Sequence, residues 1–178
     1  MVTHDPSNLT IGLFGTCDRS TWRDAFMARY DELGISYYNP QLGPGEWDPQ
    51  TSPVIEAEHL ATDPVIVFAV TWESASVGSL GETGWSVLGV VSQAMHTERD
   101  VVIYISTYVD GTMVDNPALA DASVRARRLV IEHLKKFRHI PNIWVVRTLE
   151  DALDLSIRLR STHVERNLLR NDSRYNIE

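Results

Sequence analysis

The chain holds a single cysteine among its 178 residues. No disulfide can close within it, and Cys17 fits a reducing, cytoplasmic setting. Long apolar runs are also missing. The longest, Val65–Val70 and Val101–Ile105, are far too short to cross a bilayer, so no membrane role is expected. Met1–Thr10 is polar rather than a basic-then-apolar leader, and export is not expected either. Basic residues are outnumbered: 16 Lys and Arg face 24 Asp and Glu, for a net charge of −8. That balance argues against a nucleic acid polymer as partner, because phosphate backbones demand clustered cations. The basic stretch Arg125–Arg128 with Lys135–Lys136 reads as the solvated face of a helix. None of the six histidines forms a His-x-x-x-His pair, and with one cysteine no metal site is expected. No Gly-x-Gly-x-x-Gly follows the first apolar run, so no dinucleotide cofactor is expected.

What remains is a composition suited to a globular enzyme or binding domain acting on a small molecule. Hydrophobic residues make up 43% of the chain, enough for one core. No linker, repeat or low-complexity tract divides it, so residues 1–178 read as one domain, with a core at about 9–168 and a polar tail at 169–178. Five short apolar runs alternate with helical patterns: Leu9–Gly15, Ile35–Tyr38, Pro64–Val70, Val101–Ile105 and Ile143–Val146. Trp22, Phe26, Tyr30 and Leu33 recur at helical spacing after the first run, with Ser20 or Thr21 as cap and Gly34 as stop. A turn-rich loop, Gln41–Pro53, precedes a short helix over Val54–Ala61. The small-residue segment Glu73–Gly84 is expected to enter a helix running through about Met95, a long amphipathic helix to follow the loop Ser106–Pro117 and end near Phe137, and a last helix to run from Thr148, where Thr148 and Asp151 have capping-box spacing. The last carries an apolar stripe of Leu149, Leu153 and Ile157. This order predicts an α/β fold: a flavodoxin-like, doubly wound, five-stranded parallel sheet with helices on both faces.

In such a sheet ligands sit outside the carboxyl ends of the strands, which directs attention to the residues following the first, third and fourth strands. After the third come Ser76-Val77-Gly78-Ser79-Leu80-Gly81-Glu82-Thr83-Gly84. Glycines at this hand-over from strand to helix let a backbone approach a ligand, or simply make a tight turn. Glu82 falls in the first helical turn, where the dipole and free N–H groups favour its ionised form. Spacing alone leaves two readings, a nucleophile or a glutamate that caps its own helix.

The run Gly15-Thr16-Cys17-Asp18-Arg19-Ser20-Thr21-Trp22-Arg23-Asp24, with Tyr38-Asn39-Pro40 and Trp47, resembles the opening of nucleoside 2-deoxyribosyltransferase-like proteins. The segment Val77–Gly84 is similar to that family's nucleophile motif, and the likeness extends over roughly residues 9–160. The resemblance implies an enzyme that cleaves or exchanges N-glycosidic bonds of nucleosides. In it Glu82 attacks the anomeric carbon, and Asp63, before the third strand, moves a proton to or from the base. Asn116 falls near the family's asparagine that reaches a neighbouring subunit, implying a homo-oligomer with shared sites. Gly15, Thr16, Gly78 and Gly81 would line the substrate, and Trp22 or Trp47 would stack on the base. Two positions depart from the transferases. Ser76 stands where they carry an aspartate, and Leu13 where they carry a tyrosine. A serine at that place resembles the related deoxynucleoside-monophosphate and CMP N-glycosidases, where it helps hold the 5′-phosphate; a hydroxyl tolerates a phosphate that a carboxylate repels. Hydrolysis of a nucleoside 5′-monophosphate is therefore the alternative activity, and a non-catalytic nucleotide-binding domain is a third possibility. The Cys17-x5-Arg23 spacing matches a tyrosine-phosphatase loop, but no glycine lies between and Asp18 adjoins the sulfur, both adverse to a phosphate nest.

Overall fold

The computed structural model describes residues 9–17, 20–43, 45–46, 48–75, 80–81, 83, 99–110, 117–137 and 139–171, the last three by backbone only. Strands β1 (Ile11–Gly15), β2 (Tyr37–Tyr38), β3 (Val65–Val70), β4 (Asp100–Ile105) and β5 (Ile143–Val145) form one sheet in the order β2-β1-β3-β4-β5. Every pairing is parallel. The fold is the flavodoxin-like α/β arrangement that the alternating pattern predicted. β1 and β3 are buried along their whole length, as strands covered on both faces must be.

Alternate residues feed two cores. Phe14, Ile66, Phe68, Val101 and Ile103 face one side, where Leu134 of α3 (Pro117–Lys136) and the partly buried Leu60 of α2 (Ser52–Thr62) pack. Ile11, Leu13, Val65, Val67 and Val102 face the other, against Trp22, Phe26 and Tyr30 of α1 (Trp22–Leu33) and Ala152 of α4 (Leu149–Asn171). The expected stripe on α4 is off-centre: Ala152 and Ser156 are fully buried, and Leu149, Leu153 and Ile157 flank them. Ser156 is buried because its hydroxyl pairs with that of Tyr30 at 2.6 Å.

Several boundaries follow from local chemistry. Gly34 ends α1 in the left-handed conformation, φ 63°, where a side chain is disfavoured. Pro53 lies in the first turn of α2, where its missing N–H costs nothing, so that helix starts earlier than expected. Thr148 does cap α4, accepting from the Asp151 amide at 3.0 Å. Neither Ser20 nor Thr21 caps α1 through its side chain; the Ser20 hydroxyl is drawn instead to Thr71, at 3.0 Å. Among the described residues no helix is long and apolar enough to cross a membrane.

Candidate functional site

From β1 the chain crosses to β2 on one side and returns to β3 on the other, so a crevice opens at the carboxyl ends of β1 and β3. Gly15 ends β1 with φ 123°, and a Cβ there would lie 2.2 Å from the Ala69 carbonyl oxygen. The closeness of β3 by itself requires glycine here. Just beyond, the Thr16 amide donates to the Ala69 carbonyl at 2.9 Å, and the Thr71 amide to the Thr16 hydroxyl at 2.9 Å. Thr16, Ser20 and Thr71 are all buried, so the floor of the crevice is a closed polar seam.

Trp22 does not face this crevice. It is buried, its indole N–H donates to the Thr16 carbonyl at 3.0 Å, and its ring meets Phe26 edge-on. Its expected role as a platform for a base is corrected to core packing: helical spacing with Phe26 and Tyr30 turns it inward. Arg23 is buried too, donating to the carbonyls of Leu13 at 3.0 Å, Thr16 at 2.6 Å and Gly15 at 3.3 Å, and to Gln41 at 3.3 Å. A guanidinium so occupied does not serve a phosphatase loop, although its Nη2 lies 3.6 Å from the exposed Cys17 sulfur.

Arg127 mirrors it across β3. The reading of Arg125–Arg128 as a solvated face holds for Arg125 and Arg128 but is corrected for Arg127, which is fully buried. Arg127 donates to the carbonyls of Thr71 at 2.7 Å, Ser74 at 2.6 Å, Ser106 at 3.2 Å and Tyr108 at 3.2 Å, and to the Ser123 hydroxyl at 3.1 Å. It thereby clamps the segments after β3 and β4. Burial pulls its pKa down to about 10, against the pull of nearby Glu73. The signal was present in the sequence: Ala120, Ser123, Arg127 and Leu134 share one helical stripe, and its small residues leave room for a guanidinium.

Asp63 lies at the wrong end of the sheet for the chemistry expected of it. It follows α2 and precedes β3, whose six residues carry the chain roughly 17 Å to the opposite edge. Its carboxylate meets His59 Nδ1 at 3.1 Å and abuts Gly12, where a Cβ would come within 2.9 Å of Asp63 Oδ2. His59 stacks on Tyr38 at 3.8 Å, and Arg99 holds the Asp63 and Leu60 carbonyls. Burial pushes the Asp63 carboxyl up to about 6, against the opposing pull of His59 and Arg99. The native state therefore binds the extra proton between the ordinary aspartate value and about 6. Stability from this group is full at pH 4 and lost as pH rises through 6. In denaturant titrations Asp63→Asn should gain on the wild type as pH rises from 4 to 7, by on the order of 2–3 kcal/mol. A difference that stays flat across that range contradicts the assignment.

Another carboxyl stands at the right end. Glu56 lies seven residues before Asp63 on α2, roughly 10 Å up the helix axis. It is half-buried; burial pushes its carboxyl upward and Arg23 pulls it down. Sequence reasoning missed it because a glutamate on a short polar helix has no distinguishing pattern.

Of the other expected site residues, Gly81 is helical and exposed, and a Cβ there would meet no atom of the described residues within 4 Å. Leu80 and Thr83 beside it are buried. Trp47, Ser76, Gly78, Glu82 and Asn116 lie outside the described residues, as does the helix expected to run to about Met95.

No protein-family model matches the sequence, and no curated protein matches it. The chain is similar to a solved structure, that of a conserved protein from Enterococcus faecalis V583, at 17% sequence identity and a TM-score of 0.48, over 85% of this chain and 98% of that one.

Proposed function

We propose that the chain is an N-glycosidic bond enzyme of the nucleoside 2-deoxyribosyltransferase kind, with Glu82 as nucleophile and Glu56 as proton donor to the departing base. The observation that carries this reading is the half-buried Glu56 carboxyl beside Arg23, near the carboxyl ends of β1 and β3. β3 ends at the same edge, and Glu82 follows it by twelve residues in the sequence. Two carboxyl groups held in unlike environments divide naturally into an acid and a nucleophile. Burial biases Glu56 toward its protonated form, while the sequence expectation for Glu82, in a first helical turn, is the anion. In the reaction Glu56 gives its proton to the base as the glycosidic C–N bond breaks, and a Glu82 oxygen forms a covalent bond to the anomeric carbon. A second base then displaces Glu82, completing exchange, or water does so, completing hydrolysis.

Ser76 in place of an aspartate favours a 5′-monophosphate over an unphosphorylated nucleoside. Asn116 and the exposed apolar residues Val54 and Ile55 of α2 favour a homo-oligomer that shares its sites. The single cysteine is in keeping with action in the cytoplasm.

The test is a panel of ribo- and deoxynucleosides and their 5′-monophosphates, each with and without a free acceptor base, read by chromatography. Base swapping indicates a transferase, base release without acceptor a hydrolase, and no release from any substrate overturns the proposal. In whichever reaction appears, Glu56→Gln should slow turnover roughly 10²–10⁴-fold and flatten the fall in activity with rising pH that Glu56 ionisation causes. Unchanged turnover in that variant removes Glu56 from the mechanism.

A further inference from the structure

β5 is an edge strand, and beside it the sheet and α3 leave a cavity of about 460 Å³. That volume lies within the usual range of small-molecule pockets, about 300–1,000 Å³. Its floor is Ile105, Ile143 and Val145; the first two belong to the core facing α3, and Val145 points the same way two residues on. Its wall is Ile131 and Leu134 of α3. Val145 is 44% exposed, so apolar surface stands open there.

The rim is cationic. Lys135 and Arg147 both border the cavity. Lys135 is engaged by Glu132 at 2.5 Å, whereas no hydrogen bond or ion pair holds the Arg147 guanidinium among the described residues. Its charge is therefore available to an anion seated in the apolar hollow. β3 and the crevice lie two strand spacings from β5, roughly 10 Å away. Ile105 of β4, which pairs with Val70 of β3, bounds the cavity on that side; none of the lining residues belongs to the crevice, so the inference does not rest on the reading above.

We propose that this cavity binds a small amphipathic anion, its aromatic or medium-chain apolar body seated on Ile105, Ile143 and Val145 and its acidic head paired with Arg147. Apolar contact supplies the affinity, and the guanidinium selects an anion and fixes which end faces out.

The probe is 8-anilinonaphthalene-1-sulfonate, titrated into the full chain at pH 7.5. It should bind saturably at one site per chain and be displaced by decanoate but not by decanol. Arg147→Glu should weaken it at least about tenfold, while an uncharged probe, N-phenyl-1-naphthylamine, binds that variant as it does the wild type. Val145→Glu, a change at an exposed position, should remove binding of both probes. Near-UV circular dichroism confirms that each variant keeps its packing, and Arg147→Gln, a milder change, should weaken sulfonate binding in the same direction. Sulfonate binding that is indifferent to both Arg147 variants and to Val145→Glu overturns the proposal. So does a wild-type dimer in sedimentation that Val145→Glu converts to monomer, because a second copy would then occupy the groove.

Discussion

Glu82→Gln should lower turnover by roughly 10³-fold or more while leaving substrate affinity within a few-fold of the wild type. The amide keeps the size and much of the hydrogen bonding of the side chain, but it cannot form the bond to the anomeric carbon. Two measurements test this together. Steady-state rates on the best substrate of the panel give the loss of turnover, and mass spectrometry of the acid-quenched wild type should find a pentosyl adduct on the peptide containing Glu82. Full activity in Glu82→Gln would falsify the covalent mechanism. Tight nucleotide binding unchanged in that variant, with no turnover in either protein, would identify the chain as a binding domain instead. Gly81 is exposed and no described residue lies near the position of a Cβ there, whereas Thr83 is fully buried. Gly81→Val should therefore fold normally, and any loss it causes should appear in KM before stability.

The second large effect is on stability. Arg127→Met should destabilise the chain by about 3–5 kcal/mol, a large part of the 5–15 kcal/mol typical of a domain. Methionine fills the channel left by the side chain but donates no hydrogen bond. The carbonyls of Thr71, Ser74 and Ser106 would lose the Arg127 donor, that of Tyr108 would keep only the Ser106 hydroxyl, and the buried Glu73 Oε2, which has no hydrogen-bond partner among the described residues, would lose its nearby cation. Arg127→Lys should recover only part of the loss, because one ammonium cannot span acceptors arranged around a planar fork. Urea titrations followed by circular dichroism measure both variants. A cost below 1 kcal/mol for the methionine variant would mean that the two segments are held by something else.

The layout of the sheet was legible in the chain because burial on both faces produces unbroken apolar runs such as Val65–Val70, and the punctuation by Gly34 and Pro53 is local chemistry. The site was legible only in outline. Trp22 has the spacing of a core residue and the chemistry of a base platform, and spacing decides where a side chain on a helix points. Asp63 was assigned by its likeness to a motif position, yet two residues before a strand is the amino end of a parallel sheet, away from the ligand edge. Arg127 sits within a basic run that, taken by charge alone, belongs in water; only its place in the stripe with Ala120 and Ser123 marks it as internal. Glu56 and Arg23 come together through tertiary packing of α2 over the end of β1, which no local pattern encodes.

The clamp formed by Arg127 grips main-chain oxygens, and so does most of the bonding around Arg23. An anchor that holds peptide groups is indifferent to the side chains those peptides carry. Tyr108, whose ring is exposed, can accordingly be exchanged without loosening the Arg127 clamp, whereas Ser106 also binds residue 108 through its own hydroxyl, so variation at 108 leaves the frame beneath unaltered. A library at position 108 would leave both guanidinium groups and the Ser106 hydroxyl in place.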